Sequence, residues 1–343
     1  MKLKKLVLAL TLTFVLSNIT IYAGSIDTSS INKSDRGIKK VLYKIGDSEI
    51  IANVPPKDFD PIKATDEELS YYGIPARPTD TEQYNKWVNV VGNKKCVEPS
   101  LKIKPGISYS INNTTVNSAI WCGAVRKPQS PCTNFIDSTW TVPNVSVDNT
   151  SHLPAHSAQW VGLGTNNIAQ TGTTELRQVG ESSFTYFPWF MLYGIDSNLY
   201  SFNNLVVRPL DSVYASVTLA STGNPGQYNV TFFISNNTIG TYAAYTYINV
   251  SSPYLTQAAN WIHEVPLNSF QPRPSASINF SYCTYKNSWG GQYITLNSSS
   301  DQTLNGTLER DYLYNIRNGS TSLLAIPGTV STTGQFSLSW ITY

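Results

Sequence analysis

The sequence predicts an all-β protein: a two-sheet antiparallel β-sandwich over residues 111–343, preceded by a small mixed segment over 24–110 and a signal peptide over 1–23. Three observations predict it. In the long C-terminal part, apolar residues recur with a period of two. Asn, Gly and Pro turns separate those runs. Charge is also segregated: residues 24–110 hold 13 Lys+Arg and 12 Asp+Glu, whereas 111–343 hold 8 and 10. The surface of the second part must therefore be built from Ser, Thr, Asn, Gln and Tyr.

Taken in order, Lys2, Lys4 and Lys5 precede an apolar run and Ala23 closes a cleavage site, the pattern of a secretory signal. No later stretch is apolar and long enough to span a bilayer. In the charged segment, Thr65–Asp66–Glu67–Glu68 is a capping box ahead of a short helix ended by Gly73 and Pro75. "QYNKWVNVV" reads as a second amphipathic helix or a strand. Beyond residue 111, Val213, Ala215, Val217 and Leu219 share one strand face, and Val230, Phe232 and Ile234 another. Ala276, Ile278, Phe280 and Tyr282 form a third set, and Phe336, Leu338 and Trp340 a fourth. Alternation over some 230 residues suits two packed sheets in one domain.

The formal net charge of +2 gives no basic stripe for nucleic acid. Four cysteines in an exported chain favour disulfides. Cys122 and Cys132 flank a short excursion and are expected to pair, leaving Cys96 with Cys283. A domain poor in carboxylates has little to lose when acid protonates them, so tolerance of low pH is one use of this composition. A compositional habit of exported proteins is the other reading.

One dipeptide stands out against this background, His263-Glu264. It opens the zinc motif H-E-x-x-H, but Leu267 stands where the second histidine belongs, and Pro266 would break the helix. His152 and His156 are separated by Pro154, so no helical ligand pair forms there. No metal and no cofactor is expected. G-x-S-x-G is missing, and the only D-T-[SG] match, Asp27-Thr28-Ser29, adjoins the signal.

Five short motifs carry a resemblance. "SAIWCGAV" (118–125), "STWTVPNV" (138–145), "SAQWVGLG" (157–164), "ELRQVG" (175–180) and "ANWIHE" (259–264) stand in the order seen in the glutamic peptidases, the eqolisins. "YGIPARP" followed by "YNKW" is similar to pro-regions of bacterial and archaeal members. The resemblance implies an acid-acting endopeptidase with Gln178 and Glu264 as the catalytic pair, and Trp160 and Trp189 lining the substrate groove. Glu264 would take a proton from the attacking water and return it to the leaving amine. The Gln178 amide would orient the water and hold the oxyanion. Strand alternation turns His263 away from Glu264, giving it a structural role.

The implied partners are protein or peptide substrates and the chain's own pro-segment as inhibitor, with no nucleic acid, no membrane after signal removal, and a monomeric form. Acid is expected to leave the segment's 13 cations unpaired and release it, with cleavage between Lys104 and Ser118. This sequence departs from the family pattern at Gly164, Met191 and Asn260, where the family often has acidic residues. Two other readings fit the same strands. One is a carbohydrate-binding or adhesion module with an aromatic platform; the other is a member that has lost activity.

Overall fold

Strand pairing in the computed structural model, over residues 33–34, 37–45, 48–104, 117–118, 120–128, 132–147, 153–196, 198–266, 269–297, 307–315 and 322–341, builds two packed antiparallel sheets. The signal peptide, His152 and most of the expected cleavage window lie outside those residues.

The charged segment supplies β1 (Gly37–Ile45), β2 (Ser48–Val54), α1 (Asp66–Tyr71), α2 (Thr81–Val90), β3 (Lys95–Cys96) and β4 (Leu101–Ile103). Then follow β5 (Trp121–Lys127), β6 (Phe135–Thr141), β7 (Ala155–Gly164), β8 (Ile168–Arg177), β9 (Thr185–Tyr193) and β10 (Leu199–Phe202). The chain continues with β11 (Ser212–Ser221), β12 (Gln227–Asn236), β13 (Thr241–Ser251), β14 (Ala259–Glu264), β15 (Ile278–Lys286), β16 (Thr307–Asn315), β17 (Ser322–Pro327) and β18 (Phe336–Trp340).

The first sheet runs β1-β2-β13-β12-β11-β6-β15-β18-β17, and the second β4-β10-β9-β8-β7-β14-β5-β16. β16 links them, pairing with β5 through its first half and with β17 through its second.

The alternation read from sequence is what closes the sandwich. Val213, Ala215, Val217, Leu219, Val230, Phe232 and Ile234 all point inward, against Val161, Leu163, Phe190 and Trp261 of the second sheet. The third set departs from expectation. β15 bulges between Ser281 and Thr284, with Tyr282 at φ +56°, so Tyr282 turns outward and Cys283 takes the inward place.

The capping box forms as read: Glu68 N–H donates to Thr65 Oγ1 at 3.2 Å, and Thr65 N–H to Glu68 Oε2 at 2.8 Å. "QYNKWVNVV" resolves as helix, capped by Asp80. Leu69, Tyr72, Ile74, Trp87 and Val90 cover Tyr214, Phe233 and Tyr242 on the outer face of the first sheet. β2 and β3 add backbone pairing to β13, and β4 pairs with β10 at the edge of the second sheet. The segment is thus woven into the fold, and Ile31–Tyr343 forms one compact unit.

The cysteine pairing is corrected: all four are free thiols. Cys122 and Cys283 are buried in the core between the sheets, the latter 3.3 Å from Ser138 Oγ. Cys96 packs instead in the cluster under the helices, where burial pushes its thiol up to about 12.

Candidate active site

The outer face of the second sheet collects the residues with chemistry, in three rows set by strand register. The first reads Met191, Gln170, Gly162, Asn260, Val125, Glu309. The second reads Trp189, Gly172, Trp160, Ile262, Gly123, Asp311, and the third Phe187, Thr174, Ala158, Glu264, Trp121. Because side chains alternate along a strand, each row shares this face and the residues between rows point into the sandwich. Glu264 therefore stands among Trp121, Trp160 and Ile262, while Trp261 and His263 face the other way.

Glu264 and Trp160 are both fully buried, and Trp160 Nε1–H donates to Glu264 Oε2 at 2.9 Å. The Trp121 ring meets Trp160 edge-on, with centroids 5.3 Å apart. Trp189 is also fully buried, level with Trp160 across Gly172. Gly172 is required there: a Cβ would sit 2.0 Å from Gln159 O and 2.7 Å from Trp160 Cβ. With both indoles buried, neither forms the exposed platform a sugar would need.

Gln178 is not brought to Glu264. β8 ends at Arg177, and Gln178 lies in the exposed turn beyond, its N–H bonded to Glu181 Oε2 at 3.0 Å. Thr174 is the β8 residue level with Glu264, so Gln178 is four residues further along and two strands across. At ordinary strand spacings that is roughly 16 Å between Cα atoms.

The amide that does lie on this face is Gln170, also four residues from Thr174 but within the sheet. It is 2 % exposed; its Nε2 reaches only Met191 Sδ at 3.6 Å, and its Oε1 has no partner among the described residues. A sequence signal for it existed. In Ile168-Ala169-Gln170-Thr171-Gly172, Ile168, Gln170 and Gly172 alternate with inward residues just as Trp160 and Gly162 do on β7.

The three departures have structural causes. Gly164 adopts φ +119°, where a Cβ would fall 2.0 Å from Asn167 O, so no side chain fits. Asn260 Nδ2 donates to Gly162 O at 3.1 Å and Gly164 O at 3.0 Å, which a carboxylate could not do. Met191 supplies the sulfur that Gln170 touches.

Behind this face lies a second polar group, between the sheets. Ser157 Oγ donates to Glu175 Oε2 at 2.7 Å, and Gln159 Nε2 bridges Glu175 Oε2 (3.2 Å) and His263 Nδ1 (3.0 Å). Burial pushes the Glu175 carboxyl up to about 8 and His263 down to about 4, so both are neutral through mildly acidic pH. His263 is structural, bonded on its other side to Gln271 Oε1 at 3.2 Å.

The peptidase A4 family matches residues 119–323, more than half of the chain. No curated protein matches it. Among solved structures, scytalido-glutamic peptidase with a transition state analog inhibitor is 18 % identical, covering 65 % of this chain and 98 % of that one at a TM-score of 0.49. SCP-B, described as a member of the eqolisin family, in complex with the tripeptide Ala-Ile-His, has the same identity and coverage at 0.46. Aspergilloglutamic peptidase from Aspergillus niger is 17 % identical, covering 55 % and 99 %, at 0.40. These likenesses are too distant to assign a site. The family match is sufficient by itself: the chain belongs to the peptidase A4 family, the glutamic peptidases or eqolisins, and is a hydrolase of peptide bonds.

Proposed function

We propose that the chain is an exported, acid-acting endopeptidase that binds extended peptides across the outer face of its second sheet, with Glu264 as the proton-transferring carboxylate. The observation that carries this reading is the position of Glu264: an inner-strand carboxylate beside the indoles of Trp121 and Trp160, with Asp311 and Glu309 only on the edge strand. Ionised, it accepts a proton from water as that water attacks the carbonyl carbon, then passes it to the amine as the C–N bond breaks. A glutamate, with an ordinary value near 4.3, can still do this in acid where a histidine base would be charged. Gln170 replaces Gln178 as the amide of the site: its Nε2–H and open Oε1 match the C=O and N–H of a substrate backbone. An extended peptide covers the distance from Gln170 to Glu264 in four to five residues at roughly 3.3 Å each.

The full burial of Glu264 supports a latent precursor, since water cannot reach the carboxylate until this face opens. The described part of the segment does not lie over the centre of the face. It touches the face only at its rim, where Lys104 Nζ sits 4.5 Å from the Phe187 ring centroid.

Digestion of a denatured protein between pH 2 and 7 tests the reading. Activity is expected below about pH 5, unaffected by EDTA. Glu264→Gln should lose two or more orders of magnitude, on the order of a general-base contribution. Gln170→Ala should lose most activity, and Gln178→Ala should stay near wild type. A folded Glu264→Gln protein with wild-type turnover would sink the assignment, and inverted effects at the two glutamines would return Gln178 to the site.

A further inference from the structure

We propose that Trp160 is a positioning residue for the reaction, acting through its indole N–H on the Glu264 carboxylate rather than as a wall for substrate; the proposal rests on Glu264 being the base. Three facts place it. Trp160 is the diagonal cross-strand neighbour of Glu264: Trp160 is paired with Ile262, and Ala158 with Glu264. Its Nε1–H already donates to Oε2 at 2.9 Å, and an indole nitrogen has one hydrogen and no acceptor, so it cannot serve substrate at the same time. The ring is itself held, with the edge-on contact to Trp121 on one side and Gly172 directly under its Cβ on the other. A rigid donor fixes the orientation of the carboxylate by engaging Oε2.

The bond also bears on charge. A donor to a carboxylate favours its ionised form. Among the described residues, the titratable groups on this face near Glu264 are His156 on β7, one row to one side and held neutral down to about 3 by burial, and Asp311 on β16, one row to the other. β7 and β8 present Ala158 and Thr174 at its level, and β5 presents Trp121. Glu175 and His263 belong to the opposite face. Loss of the indole N–H therefore leaves Glu264 easier to protonate, and the base is lost at a higher pH.

Trp160→Phe keeps an aromatic ring and removes the donor. With a short peptide substrate, KM should stay within about threefold and kcat fall by about 10- to 100-fold, the range for a hydrogen bond to a charged group. The acidic limb of the kcat/KM profile should move to higher pH by about one unit. A merely structural tryptophan would change yield or melting temperature and leave that limb in place. Unchanged kcat with an unmoved limb overturns the proposal, as does a loss confined to KM. Glu264→Gln separates the two levels: if it stays active, the base assignment fails; if it is inactive while Trp160→Phe is unshifted, only the positioning role fails. Should Trp160→Phe not fold, the indole N–H resonances of the wild type decide. One must titrate in acid and cease to do so in Glu264→Gln, and its absence counts against the proposal.

Discussion

Glu264 and Gln178 share a face only for as long as β8 continues, and β8 stops at Arg177. Alternation correctly divided Glu264 and Ile262 from Trp261 and His263, because both faces of β14 are buried and a one-residue slip would put a carboxylate into the intersheet core. It failed at Gln178 because period two says which side a residue faces and nothing about where the strand ends. That end is set by the turn in which Glu181 N–H bonds to Gln178 O. Gln170 was legible by the same alternation, but not its importance, which rests on a pairing with Gly162 two strands from β5. The residue-scale prediction follows from Gly164. Gly164→Asp, which restores the family's acidic residue, should destabilise the fold by about 1–3 kcal/mol because its left-handed backbone and the Asn167 carbonyl leave no room. Urea unfolding of the variant measures this, and an unchanged midpoint would mean that the turn relaxes freely.

At the scale of elements, the charged segment proved more structural than its composition suggests. Its first helix was readable from the Thr65 capping box, whereas residues 83–91 left helix and strand open, and the docking surface made by Tyr214, Phe233 and Tyr242 was not legible because it joins strands distant in sequence. Five ion pairs occur among the segment's described residues, Lys40–Glu98, Lys44–Glu49, Lys63–Asp60, Arg77–Asp66 and Lys86–Glu82, and all five are internal to it. Protonating their carboxylates loosens the segment's own surface, where such pairs contribute little. Its hold on the sandwich comes from apolar burial and backbone pairing, which acid leaves intact. Residues 33–104 are therefore expected to stay bound at pH 3.5 even after a cut beyond Lys104, co-eluting with the rest in size exclusion; release as a separate species would restore the acid-ejection scheme. Trp87 anchors the contact, 3 % exposed with its Nε1–H on Pro75 O at 2.9 Å. Trp87→Ala in the full chain should cost about 3–5 kcal/mol, read by urea unfolding.

At the scale of the whole molecule, the dependence of stability on pH is expected to follow particular buried groups rather than a shortage of charge. Among the described residues, two carboxyls and two histidines are held in their neutral forms by burial. Burial pushes Asp137 up to about 7, against hydrogen bonds from Thr284 and Tyr214, and Glu175 up to about 8; it pushes His156 down to about 3 and His263 to about 4. The two carboxyls, with ordinary values of 3.8 and 4.5, contribute stability that is full below those values and is lost as pH rises through 7 and 8. The two histidines, with an ordinary value of 6.5, contribute stability that is full above it and is lost as pH falls toward 4 and 3. Each group adds a slope of about 1.4 kcal/mol per pH unit within its window. Between the ordinary carboxyl and histidine values, two slopes of each sign act together and cancel. Above 6.5 only the carboxyls act, and below 3.8 only His156. Stability should thus form a plateau across roughly pH 4.5–6.5 and decline on both sides. Asp137 lies beneath the segment, in a pocket with Trp87, Gln83 and Lys86, so part of the alkaline decline is a weakening of that contact. Urea midpoints from pH 3 to 9 measure the profile. Glu175→Gln keeps the shape and cannot ionise, so its curve should lose part of the fall between 6.5 and 8 and rise with pH across 4.5–6.5, where two histidine slopes then meet one carboxyl slope, while the side below 4.5 is unchanged. An alkaline fall identical to wild type would show that Glu175 is already ionised in the native fold, and the plateau would then need another cause.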